Sequence, residues 1–167
     1  MQNKRLAILS VTLLVLLYMT REQVGKPAAT FIASKIGPRG IRNNNPGNIR
    51  VSADKWQGAI GDDGAFFIFD TPENGIRALA RILKNYRTKY NLKNIAGIIA
   101  RWAPASENNT ASYIQAVARS TGHNAGDTLA LNLADYGPLV SAIILHENGL
   151  NPYPQSTIDA GVSAGIA

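Results

Sequence analysis

Apolar positions along this chain fall into separate blocks, and the spacing within each block predicts an element. The first block, Leu6 to Met19, is a continuous uncharged run of fourteen residues behind Lys4 and Arg5. It is short beside the ~20 residues of a bilayer-spanning helix, although Thr20 and its neighbours extend it. A signal peptide has the same basic and apolar regions, but Thr20, Arg21, Glu22 and Gln23 stand where a small-residue cleavage site belongs. A buried core helix is a third reading, disfavoured because the run holds so little polarity. The expectation is an uncleaved N-terminal membrane anchor, residues 1–20. Lys4 and Arg5 on one side face Arg21 and Lys26 on the other, which leaves its orientation open. Gly25, Pro27, Gly37 and Pro38 then punctuate a basic tether over 21–38, with a short helix around Ala28 to Ile36.

Helical spacing returns further on. Ile76, Leu79, Ala80, Leu83 and Tyr86 share one face of a helix that Thr71 caps and Pro72 opens. Ile95, Ile98, Ile99 and Trp102 do the same in a helix from Asn94 to Trp102. A third helix, Ala111 to Ser120, has Asn109 or Thr110 as its cap and Gly122 as its close. Extended spacing over Asn48–Ser52 and Ala65–Phe69 predicts a small β-hairpin around Trp56-Gln57-Gly58 and a Gly61-Asp62-Asp63-Gly64 turn. Asp127 to Leu133 is a short connector. The last apolar block, Leu139 to Leu145, stops at His146-Glu147-Asn148-Gly149. With Asp135 as N-cap, Pro138 in the first turn and Gly149 as the left-handed closing residue, it reads as a buried helix from Tyr136 to Asn148. Residues 154–167, rich in Ala, Gly and Ser, read as a flexible tail. The class is mainly α, of the α+β kind.

Composition narrows the setting. The 167 residues supply one domain and some extra chain, and 46% apolar residues suffice for a core. There is no cysteine, hence neither a disulfide nor a thiolate metal site. The net charge of +6 suits an anionic partner: nucleic acid, anionic lipid or an acidic envelope polymer. His123 and His146 are far apart and lack ligand spacing, so no metal or other cofactor is expected. Neither a P-loop, a dinucleotide fingerprint nor an H-E-x-x-H motif occurs, and the serines lack a His/Asp partnership. Arg and Lys are dispersed over helices rather than clustered with aromatics, which places nucleic-acid binding last.

Candidate chemistry gathers at the end of the last helix. A helix C-terminus carries partial negative charge, and the residues before Glu147 are apolar; both disfavour an ionised carboxylate. A carboxylic acid kept protonated is the proton donor that glycosidic bond cleavage needs. Arg39-Gly-Ile-Arg-Asn-Asn-Asn-Pro-Gly-Asn-Ile-Arg50 is a structured turn, and its Asn amides can both donate to and accept from sugar hydroxyl and N-acetyl groups. Trp56 can stack on a sugar or simply pack. Glu73 lies in a first helical turn, where the dipole favours its charged form; it suits a base or electrostatic stabiliser better than an acid, and a plain structural charge better still.

AIILHENGLNP resembles the catalytic-glutamate segment of the lysozyme-like superfamily, which includes lytic transglycosylases. RGIRNNNPGNIR, W-Q-G, FDTPENGIRALARIL, RWAPASENNT and HENGLNPY together resemble phage virion-associated peptidoglycan hydrolases and cover most of Arg39 to Tyr153. In that superfamily the glutamate helix comes first; here it comes last. The resemblance therefore implies a circularly permuted lysozyme-like domain over 39–153, with Glu147 facing Asn44, Asn45 and Asn48 across a groove. It implies Glu147 as the catalytic residue, and Glu73, from its place in a first helical turn, is the second catalytic candidate. The implied glycan contacts are Asn44, Asn45, Asn48 and Arg50 in the turn, Trp56 in the hairpin, Asn108 and Tyr113 around the third helix, and Asn148 and Tyr153 beside the glutamate. A glycosidase with two carboxylates would draw the second from Asp62, Asp63 or Glu73. A transglycosylase needs one, because a hydroxyl within the muramyl residue attacks. The expected function is a membrane-anchored enzyme of a phage or bacterium that cuts the MurNAc-GlcNAc strand, a lytic transglycosylase ahead of a muramidase because only Glu147 has an environment that keeps a carboxyl group protonated. The expected partners are peptidoglycan, lipid through residues 6–20, and other virion membrane proteins, in a virion internal membrane or the host inner membrane. A non-catalytic virion protein that only binds peptidoglycan is the alternative.

Overall fold

The computed structural model describes residues 36–106 and 108–167. The anchor over 6–20, the tether up to Lys35 and Glu107 lie outside the described residues. Among the described residues no helix is long and apolar enough to cross a membrane.

Among the described residues, six helices and one two-stranded sheet follow in the order α1 (Arg39–Arg42), β1 (Ala59–Asp62), β2 (Phe67–Phe69), α2 (Pro72–Tyr90), α3 (Ile95–Trp102), α4 (Thr110–Thr121), α5 (Leu133–Asn148) and α6 (Gln155–Ile166). The chain is mainly helical with a small antiparallel sheet.

Caps set the helix limits. Thr71 Oγ1 accepts from Asn74 N at 3.3 Å and Pro72 opens α2, a helix about 28 Å long at 1.5 Å per residue. Asn94 caps α3 and Asn109 caps α4 through side-chain oxygens that accept from Gly97 N and Ser112 N. The start of α5 differs from the sequence reading. Asn132, not Asp135, is the cap, accepting from Asp135 N at 2.9 Å, and the helix begins three residues earlier at Leu133. Either residue type caps well. Asp135 is instead turned back, where its carboxylate accepts from Ala130 N.

Helix α5 is the centre of the core. Tyr136, Leu139, Val140, Ile143 and Ile144 are fully buried along one broad face, while Ala134, Pro138 and Leu145 are exposed on the opposite side. Helices α4 and α6 and the short α1 pack on it, and α2 lies alongside with Ile76, Leu79 and Leu83 buried.

Three regions depart from the sequence expectation. Arg39–Arg42, read as the start of a structured turn, form the short helix α1 ahead of the asparagines. The first strand of the hairpin is Ala59–Asp62 rather than Asn48–Ser52; the earlier segment contributes only the isolated bridge of Arg50 to Phe66. Ala59–Asp62 shows no alternation, yet the tight register with β2, bulged between Ala59 and Gly61, falls to it as the segment nearer in sequence. Residues 155–166, expected to be a loose tail, form α6 and bury Ile158 and Val162 against α2. The small residues that suggested looseness allow this contact: a Cβ on Gly161 would lie 2.6 Å from Ile76 Cγ2, and one on Gly165 would lie 2.5 Å from Ala80 Cβ.

Candidate functional site

The turn after α1 folds around its asparagines. Asn44 and Asn48 both adopt left-handed backbone angles, φ 50°, which Asn tolerates better than other non-glycine residues. Asn45 is fully buried: its amide donates to Ile49 O at 3.0 Å and Phe67 O at 2.9 Å, and its oxygen accepts from Ile49 N at 2.9 Å. Asn44 donates to Phe69 O at 3.0 Å, tying the turn to the end of β2. The first turn of α2 presses on this loop so closely that a Cβ on Gly75 would lie 1.8 Å from Asn44 O.

This turn meets the end of α5. Asn148 is buried and donates to Pro46 O at 2.7 Å, bolting the helix terminus to the loop, while Gly149 closes the helix at φ 71°. The bolt places Glu147 beside Asn48, residues 99 apart in sequence. Asn48 Nδ2 donates to Glu147 Oε2 at 3.3 Å; Trp102 Nε1 and Tyr113 OH donate to Oε1 at 3.0 and 3.1 Å. Tyr113 is itself buried and stacks on His146, ring centroids 3.5 Å apart. Burial first, then the charge of Glu147, pushes the Tyr113 phenol well above its ordinary value, so it stays a donor.

Glu147 lines a groove of about 480 Å³. Asn48 and Arg50 come to it from the turn, Phe66 from the hairpin side, Tyr86 from α2, Trp102 from the end of α3 and Asn108 from the following loop. Arg50 places its guanidinium 5.7 Å from the centre of the Phe66 ring. Such a wall combines amide donors and acceptors, a cation and aromatic faces around one carboxylate, a set suited to a polar, ring-shaped and anionic ligand. Among the described lining residues Glu147 is the one carboxylate.

Several sequence candidates sit elsewhere. Glu73 is half-buried on α2 and accepts from Thr157 Oγ1 of α6 at 3.1 Å; it does not line the groove, because its helical position points it to the α6 side. Asp63 is held by Arg39 at 2.6 Å and by Asn43 at 2.6 Å, and the Arg39 guanidinium keeps its carboxyl well below the usual carboxylate range. Asp62 accepts from Gly64 N within its own turn. Trp56 packs half-buried against the core, with its indole nitrogen covered, rather than in the groove. Tyr153 is buried beside Glu73, where burial pushes its phenol upward. Asn44, Asn45 and Asn148 are spent on backbone carbonyls, so they build the site without facing it. Asn48, Arg50 and Asn108 do face it, and Tyr113 supports Glu147 from beneath.

Phe66, Tyr86 and Trp102 line the groove and escaped the sequence reading. Trp102 and Tyr86 look like core positions at helical spacing, yet both are half-buried in the groove wall. The available signal was Trp102 itself: a Trp at the last position of an apolar helix needs an acceptor for its indole N–H.

The sequence matches no protein-family model. It is 47% identical over 133 residues to Protein P5 of Pseudoalteromonas phage PM2, an alignment that covers 77% of this chain and 82% of that protein.

Proposed function

Since this chain belongs to the family of Protein P5 of Pseudoalteromonas phage PM2, a phage protein, we propose that it opens the bacterial cell wall as a peptidoglycan lytic transglycosylase. The observation that carries the reading is the single carboxylate, Glu147, fixed by three donors in a groove with no second carboxylate among its described lining residues. One carboxyl group suffices for one reaction of glycan strands. Glu147 gives its proton to the glycosidic oxygen as the bond from the MurNAc anomeric carbon breaks. The 6-hydroxyl of the same MurNAc then attacks that carbon and returns its proton to Glu147, leaving a 1,6-anhydro end and consuming no water. A muramidase would need a second group to hold water or form a covalent intermediate.

The juxtaposition of Glu147 with Asn48 also supports a circularly permuted lysozyme-like arrangement, in which the glutamate helix reaches the Asn turn from the C-terminal side. An anchor at residues 6–20 would hold the domain at a virion internal membrane or the host inner membrane, alongside other virion membrane proteins, and restrict lysis to the site of infection. The second reading, a non-catalytic virion protein that binds peptidoglycan, draws on the same hydrogen bonds: three donors also suit a carboxylate that stays ionised and merely joins α5 to the turn.

Zymography on purified Gram-negative peptidoglycan, with mass spectrometry of the products, separates these readings. Clearing by the parent protein with 1,6-anhydro ends, and loss of at least a hundredfold in rate in Glu147→Gln, is the expected result. Reducing ends would make the enzyme a muramidase or glucosaminidase. Pelleting with the wall material without clearing would leave a binding protein.

A further inference from the structure

The two oxygens of Glu147 are not equivalent. Trp102 Nε1 and Tyr113 OH both reach Oε1, at 3.0 and 3.1 Å, while Oε2 has only the longer 3.3 Å contact with Asn48 Nδ2. An indole nitrogen is a donor only, so no rearrangement of hydrogens lets Trp102 accept from the carboxyl group. A proton on Oε1 would point into the indole hydrogen. A proton on Oε2 displaces just the weakest of the three contacts, and it lies on the side of Asn48 and the groove.

We propose that Trp102 and Tyr113 are positioning residues that decide which oxygen of Glu147 exchanges the proton: Oε1 is held as the permanent acceptor, and Oε2 carries the proton toward the ligand. This rests on the reading of Glu147 as the acid, and it assigns that role to one atom. Tyr113 is fixed for its part, 2% exposed and stacked within 14° of parallel on His146. Trp102 is fixed by its place at the end of α3, where Ala103 N closes the helix on Ile99 O. Among the described residues, the charged and titratable groups around the carboxyl group are Tyr113 from α4, His146 behind it on α5, and Arg50 and Tyr86 lining the groove.

The chain has two tryptophans, so full-length protein labelled with ¹⁵N at tryptophan gives two indole N–H signals, of which Trp102→Phe removes one. The Trp102 signal is expected to move with pH in a single titration that coincides with the alkaline limb of the lysis rate and is absent in Glu147→Gln. In Tyr113→Phe the titration midpoint and that limb should move together to higher pH, since the hydrogen bond lost is one to the charged form. Asn48→Gly should shift them less.

A flat Trp102 signal in an active parent would overturn the assignment while leaving the enzyme reading intact. So would a Tyr113→Phe form that loses rate at every pH with an unmoved midpoint, or a larger shift from Asn48→Gly. Persistence of the titration in Glu147→Gln would assign it to His146 and overturn the proposal as well. A titration that behaves as expected in a protein without lytic activity would uphold the hydrogen-bond assignment and remove the transglycosylase.

Discussion

At the scale of single residues, the asparagines of the first turn divide by what their amides touch. Asn45 satisfies three backbone groups in the interior and Asn44 holds the end of β2, whereas Asn48 has its amide at the edge of the groove. Sequence gives no means of telling them apart, because one residue type supplies the same donor and acceptor to a ladder or to a ligand. Asp63 illustrates the same ambiguity among carboxylates. It was a candidate second carboxylate and is instead the clamp between the hairpin and α1, paired with Arg39. Its folded pKa lies below the unfolded value of 3.8, chiefly through Arg39. The stability it adds is therefore complete above the unfolded value and is lost as pH falls below it. The thermal midpoint of Asp63→Asn should lie below that of the parent by an amount that is constant between about pH 5 and 7 and shrinks as pH falls under 3.8. Because the pair is exposed, high salt should reduce the difference.

At the scale of elements, helices whose limits depend on a cap and a periodic face were legible in the sequence. The reading of α2 from Thr71 and Pro72, of α3 after Asn94, of α4 with its close at Gly122, and of the end of α5 at Gly149 agrees with the structure. The two failures have different causes. Strand β1 has no alternation of its own and is fixed by pairing with β2 across a short turn. Helix α6 is weakly patterned and gains its stability from α2, distant in sequence. Helix α6 in particular contains Gly161 and Gly165, poor helix formers that nonetheless let it lie almost against the backbone of α2, with a Cβ on Gly165 only 2.7 Å from Arg77 O. Gly161→Val should push this interface apart and cost on the order of 1–3 kcal/mol, read as a lower denaturant midpoint. Ala substitution at Gly126, where a Cβ meets nothing within 4 Å, should leave that midpoint within about 0.5 kcal/mol of the parent.

At the scale of the whole molecule, the groove is made from chain segments that meet only after folding: the turn near residue 48, the end of α3 and the end of α5. If the ligand is peptidoglycan, the overall charge of +6 acts on it as well as the local contacts. Co-sedimentation of the Glu147→Gln protein with purified wall should weaken several-fold between about 0.1 M and 1 M salt, as the Debye length contracts from about 10 Å to about 3 Å. Binding that is indifferent to salt would assign retention to the uncharged groove contacts.

Sequence alone determined helices α2, α3 and α4, the end of α5 at Gly149, and Glu147 as a carboxylate at that end; all of these are local properties of spacing, propensity and capping. Tertiary structure decided what Glu147 faces. Docking of α5 on the turn through Asn148 and Pro46 brought Asn48 to Oε2, and the packing of α3 and α4 aimed Trp102 and Tyr113 at Oε1. It also turned Glu73 toward α6 and made that last segment a helix. Those outcomes depend on contacts between residues tens of positions apart, whose closure no local periodicity encodes.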